Sequence, residues 1–333
     1  MASNGRRAAL DSLLQNQERF FKMALHDREM RQVYADTLID LISKNPNVMV
    51  LEADLSKSSG TPSVGERYPD NFIDVGIAEA NMMGVAAGLS TCGKVPFCAT
   101  FSPFASRRAY DQVTISIAYS KRNVKIVGTA PGVTTTANGG THMCFQDLAI
   151  MRAMPGMTVL SPCDVYELRS MMHWMAQTQG PMYMQLLRLK EPKIFDEDYV
   201  FVPGKAVRLR EGTTATIVTT GYTTRWAIDA AQALEQQGVS VDLLHYPTVK
   251  PFDAESLITS ARKTGYVVTV ENQNILGGLG GAVCEVLSEH LPTKVTRLGV
   301  NDVFGEVATE DYLLNKHRFS AKDIMAAVLQ GRP

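Results

Sequence analysis

Residues 123–164 read NVKIVGTAPGVTTTANGGTHMCFQDLAIMRAMPGMTVLSPCD. A Val- and Ile-rich run (VKIVGTA, 124–130) is followed by a stretch of helical period (146–153) and a second apolar run (MTVLSP, 157–162). Strand, helix and strand in that order are the mark of repeated units around a mostly parallel sheet, so the fold class is α/β. Between the first run and the helix lies PGVTTTANGGTHMCF (131–145), with no period of either kind. A connection of this length inside a compact α/β unit is uncommon and more often functional than not.

The same alternation extends outward. Strands are predicted at VMVLEA (48–53), FIDV (72–75), PFCAT (96–100) and MYMQLL (182–187), with helices near 29–44, 77–90, 104–120 and 164–178. LKEPKIFDEDYVFVPG (189–204) has two prolines, four acidic residues and no sustained period, which reads as a linker over 191–203. A second α/β unit follows, with strands at 214–220, 239–245, 265–272 and 293–299 and helices near 223–237, 253–263 and 279–290. Two units suit 333 residues, too many for one ordinary core.

Composition narrows the function. The 33 basic and 34 acidic residues leave a formal charge of −1, with no field for a nucleic-acid backbone or an anionic membrane. Cys92, Cys98, Cys144, Cys163 and Cys284 form no C-x-x-C pair, and an odd, scattered set reads as reduced thiols of the cytoplasm. The six histidines make no zinc-type cluster, so no metal site is expected in this chain. No run approaches the roughly 18 apolar residues of a membrane span. The N-terminus has Arg6 and Arg7 but no signal-peptide core, and Asp11 and Glu18 argue against a transit peptide. Residues 10–25 read as a helix within an N-terminal extension, 1–27.

Several side chains can carry chemistry, and each has a plain structural alternative. Glu79 opens a helix with no further charge for fourteen positions, which predicts a buried helix. Its carboxylate either complements the positive end of the helix or is a functional acid. Phe101 and Phe104 are core residues or a platform for a flat ring at the carboxyl edge of the sheet. His142 is a solvated loop residue or a proton-exchanging group, and Gly139 and Gly140 beside it permit close approach of backbone to a ligand. GGLGG (277–281) lacks the dinucleotide pattern, because Val283 stands at the third glycine position, so tight strand-to-helix packing is the better reading. Arg28, Ser58 and Arg188 are surface residues or holders of a phosphate.

Together the pieces resemble the C-terminal half of transketolase, above all the separate C-terminal subunit found where that enzyme is encoded as two chains. DVGIAEANMMGVAAGLSTCGKVPFCATFSPFASRRAYDQV (74–113) carries the resemblance most specifically, with NVKIVGTAPGVT, GGTH, MRAMPGMTVLSPCD, KPFD and GGLGG. Deoxyxylulose-phosphate synthase and the beta subunits of 2-oxo-acid dehydrogenases, also thiamine diphosphate enzymes, share parts of it. The resemblance implies two three-layer αβα domains, a pyrimidine-binding domain (28–190) and a transketolase C-terminal domain (204–330). It implies that Glu79 hydrogen-bonds the cofactor's aminopyrimidine, that Phe101 and Phe104 stack on or flank that ring, and that Asp54 lies near it. His142, Asn138, Arg28, Ser58 and Arg188 are implied to bind the substrate, a sugar or sugar phosphate whose two-carbon ketol unit passes to an aldose. The family's magnesium and diphosphate segment, G-D-G followed by asparagine, does not occur in the 333 residues. Those ligands are then expected on a partner subunit, in an α2β2 assembly. Ala130 stands at the place of a family histidine, Asn138 at that of an aspartate and Met143 where glutamine is common, which implies an unusual donor. The alternatives are a 2-oxo-acid dehydrogenase beta subunit or a deoxyxylulose-phosphate-synthase-like enzyme and, from another class, a non-catalytic α/β binding module.

Overall fold

In a computed structural model that describes residues 25–331, the apolar runs become strands of two sheets. The helix expected over residues 10–25 and most of the extension lie outside the described residues. The first sheet contains β1 (Val48–Glu52), β2 (Phe72–Asp74), β3 (Val95–Phe101), β4 (Lys125–Thr129), β5 (Thr158–Leu160) and β6 (Met182–Leu186). The second contains β7 (Val207–Arg210), β8 (Ala215–Thr219), β9 (Val241–His245), β11 (Tyr266–Asn274) and β12 (Lys294–Val300). β10 (Thr248–Lys250) comes from the second half of the chain but joins the first sheet, whose spatial order is β10-β5-β6-β4-β3-β1-β2. Pairing is parallel except where β10 meets β5 and β7 meets β9.

Alternate strand residues enter different cores, which makes each half three layers deep. Val48, Val50, Phe97 and Val127 face one apolar cluster, whereas Met49, Leu51, Cys98 and Ile126 face another. In the second sheet Ile217 and Leu243 point one way, Val218 and Leu244 the other. Burial on both faces is why these strands read as continuous apolar runs.

The structure departs from the sequence reading at short or irregular elements. β7 and β10 were not predicted, nor were the helices Ser56–Ser59, Pro62–Arg67, Glu310–His317 and Ala321–Gly331. The expected helix over 104–120 is π-wound across Phe104–Arg108 and Val113–Tyr119, a winding frequent at functional sites. The helix Glu79–Thr91 is not fully buried: Asn81, Gly84, Gly88 and Thr91 share an exposed face.

The long loop also needs correction. Gly139 and Gly140 make room for the chain itself rather than a ligand, because a Cβ on Gly140 would lie 2.4 Å from the Gly305 carbonyl oxygen and one on Gly139 2.7 Å from Val307. The second half grips the loop elsewhere too. Asn272 Nδ2 donates to the Pro131 carbonyl at 3.0 Å and its Oδ1 accepts from the Val133 N–H at 3.0 Å, and the Asn274 N–H donates to the Phe145 carbonyl at 2.8 Å.

The GGLGG segment does serve close packing. Glu271 on β11 accepts the N–H groups of Leu279 and Gly280, each at 2.8 Å, at the start of the helix Leu279–His290. A Cβ on Gly278 would sit 2.0 Å from that carboxylate. The carboxylate therefore satisfies two orphan donors at a helix N-terminus, where negative charge is favoured.

Candidate active site

Parallel α/β sheets bind ligands beyond the carboxyl ends of their strands, and the candidate residues converge there. Phe101 ends β3, the 131–145 loop follows β4, Arg188 follows β6, and Asp54 and Ser58 follow β1. Glu79 is the first residue of the helix after β2, so its carboxylate lies at the positive end of that helix.

Glu79 is only 3% exposed. Its Oε1 accepts a hydrogen bond of 2.8 Å from Arg108 Nη1. The Arg108 guanidinium lies 3.7 Å above the Phe104 ring centroid. Phe101 meets Phe104 edge-on at 6.0 Å, and the His142 ring stands edge-on to both, at 5.7 and 5.3 Å. His142 Nδ1 shares a 2.8 Å hydrogen bond with Thr141 Oγ1, and Arg107 Nη2 donates to the Thr141 carbonyl at 2.9 Å, fastening this part of the loop. The Arg188 guanidinium lies over the Phe101 ring, 5.1 Å from its centroid, and its Nη1 donates to Ser58 Oγ at 2.5 Å. One contiguous group thus joins Glu79, Phe104, Phe101, His142, Arg188 and Ser58.

Other candidates stand differently. Asp54 is exposed and holds a left-handed backbone (φ 58°), with its N–H donating to Asp74 Oδ1 at 2.9 Å. Arg28 is buried and pairs with Asp36. Asn138 is exposed, and its N–H donates to the Thr135 carbonyl at 3.0 Å. Of the departures in the loop, Ala130 and Met143 are buried, Met143 against Gly305. Arg107 and Arg108 were not singled out from sequence. Spacing gave no reliable signal for Arg108, because the turn from Phe104 to Arg108 is π-wound and does not follow the four-residue rule of an α-helix.

Glu52 is fully buried at the end of β1, accepting from Ser59 Oγ at 3.0 Å and Thr61 Oγ1 at 2.7 Å. Burial pushes its carboxyl up to about 8, against those two hydrogen bonds, which favour the ion. In the unfolded chain the same group ionises near 4.5. The folded form therefore binds more protons between these values, and the Glu52 contribution to stability falls as pH rises through them. Thermal unfolding measured from about pH 5 to 8 is expected to show Glu52→Gln gaining on wild type as pH rises. A gap that stays constant would refute this protonation state. Burial likewise lowers Arg188, with the charge of Arg31 adding to the effect.

Among the described residues, one cluster has metal-ligand proximity: Cys163, Glu167 and His245. Its members hold one another instead. His245 Nε2 meets Glu167 Oε2 at 2.9 Å, the same oxygen accepts from the Cys163 N–H at 2.8 Å, and Tyr199 donates to Oε1 at 2.9 Å. The cluster thereby ties both halves and the 191–203 segment together.

The family models described as transketolase, pyrimidine binding domain, and transketolase, C-terminal domain, match residues 26–192 and 204–324. The chain belongs to the transketolase family. The 6-deoxy-6-sulfo-D-fructose transketolase subunit of Clostridium sp. (strain MSTE9) is 46% identical over 92% of this chain and 95% of its own length. An apulose-4-phosphate transketolase subunit of Phocaeicola vulgatus is 34% identical over 82% of this chain and 87% of its own. A solved structure titled split gene transketolase, inactive beta4 tetramer, superposes with a TM-score of 0.83 at 44% identity, covering 91% of this chain and 97% of that one. Within the family the chain corresponds to a split transketolase-like C-terminal subunit, since it carries both domains and matches such subunits over nearly their whole length.

Proposed function

We propose that this chain holds the aminopyrimidine half of thiamine diphosphate and, with a partner subunit, transfers a two-carbon ketol unit from a ketose donor to an aldose acceptor. One observation carries the reading: a buried carboxylate, Glu79, opens onto an aromatic platform, Phe104 and Phe101, with a flat cation already lying between them. The donor set fits a planar, nitrogen-rich ring. It does not fit a diphosphate with magnesium, for which the sequence has no G-D-G segment, so we assign those ligands to the partner, in an α2β2 assembly of the cytoplasm. The five free cysteines suit a reducing compartment, and no helix among the described residues is long and apolar enough to cross a membrane.

Thiamine diphosphate, when bound, supplies the reactive carbon that carries the two-carbon unit. Glu79 would hold a proton at a nitrogen of that ring, in a site where burial strengthens the interaction. Phe101 and Phe104 exclude water from the ring faces. His142 takes a donor oxygen, and Arg188 with Ser58 takes the far polar end of the sugar, where a guanidinium suits an anionic group. Arg28, Asp54 and Asn138 complete the proposed cofactor and substrate set.

The two relatives named above are transketolases with different sugars in their names, which supports a donor other than the standard ketose phosphate. The exposure of Asn138 supports a part for it, among the three loop departures, in altered recognition. Reconstituted complex assayed against a panel of phosphorylated and sulfonated ketoses is expected to transfer a ketol unit, with xylulose 5-phosphate not the best donor by kcat/KM. A high value for that sugar removes the specificity argument. Decarboxylation of a 2-oxo acid with acyl transfer to lipoamide, and no ketol transfer, identifies a dehydrogenase beta subunit instead.

A further inference from the structure

The Arg108 guanidinium does what an aminopyrimidine bound here would do. It is planar, and its central carbon lies over the Phe104 ring, 3.7 Å from the centroid. It donates an N–H to the buried Glu79 carboxylate at 2.8 Å. It also carries the positive charge that a protonated ring nitrogen would bring to the same oxygen. Two flat cations cannot share one carboxylate oxygen and one ring face. Arg108 can leave without unfolding anything, because 47% of its side chain is exposed whereas Glu79 is buried, so the head group has water to move into.

We propose that Arg108 is a displaceable stand-in for the cofactor ring: it closes the pyrimidine slot of the cofactor-free protein and must swing out when the cofactor enters. This rests on the functional reading above. Until displacement Arg108 keeps the Glu79 charge paired, which a buried carboxylate needs. The cofactor then binds only the fraction of molecules in which the slot is open, and its apparent affinity is reduced by that fraction.

The test is calorimetric titration of the reconstituted complex with thiamine diphosphate in the presence of magnesium. Arg108→Met, which keeps an apolar stem but no cation, is expected to bind about tenfold more tightly than wild type. Arg108→Lys is expected to fall between, because an ammonium pairs with Glu79 but cannot lie flat on Phe104. Guanidinium ion at millimolar concentration is expected to weaken cofactor binding by Arg108→Met more than by wild type. Unchanged or weaker binding by Arg108→Met overturns the proposal and makes Arg108 an inert neighbour or a ligand of the cofactor. Should that variant fail to assemble, crystal structures of the wild-type complex without and with cofactor decide the matter. A guanidinium on Phe104 in the first and away from it in the second supports displacement, and the same position in both overturns it. Failure of wild type and variants alike to bind any cofactor sinks the functional reading itself, a result distinct from binding that Arg108→Met leaves unchanged.

Discussion

Glu79→Ala in the reconstituted complex is expected to lower kcat by about 10²–10⁴-fold, the usual worth of a positioned acid–base group, while the protein stays folded. Stability is retained because the variant deletes a buried charge and frees Arg108, whose half-exposed head can turn to water. A purely structural carboxylate at a helix start would behave otherwise, costing at most about 1 kcal/mol of stability and nothing in turnover. Measuring kcat at saturating cofactor together with a thermal melt separates the two. Wild-type turnover in the variant would leave the chain a silent binding module.

The second large effect concerns the chain alone. Rigorously purified protein without its partner is expected to show no ketol transfer above background and no binding of thiamine diphosphate with magnesium, both appearing when the partner is added. The physical reason is division of the ligand. On the proposed reading this chain would hold the flat ring but has no G-D-G segment for a metal-bound diphosphate, and half a ligand's contacts rarely overcome the cost of immobilising all of it. The surface beside Glu79 is also unfinished, with Ile77 76% exposed. Substantial activity from the lone chain would remove the need for a partner.

The sequence made the parallel strands legible because each is buried on both sides, as with VKIVGTA around β4 and TATIVTT around β8. It made Glu79 legible because a charge heading an otherwise uncharged helix calls for an explanation. The convergence of Phe101, His142 and Arg188 was not visible in spacing alone, since they follow three different strands, and it came from resemblance. Arg108 escaped notice because its role depends on the face of a π-wound turn. Gly139 and Gly140 were assigned to a ligand because sequence cannot show that the segment around Gly305, far along the chain, fills the space beside them. β7 and β10 were missed for being short edge strands, where periodicity has too few residues to register.

The strand β10 bears on how such a chain can be divided or exchanged. Its residues come after the second sheet has begun, yet they finish the border of the first, beside β5. Cutting within 191–203 would release a fragment whose β5 presents bare N–H and C=O groups, an invitation to self-association. Recombination between relatives would meet the same obstacle, because a crossover at that segment delivers a donor's border strand to a foreign sheet. The two halves are therefore expected to be inherited, engineered and replaced as one piece.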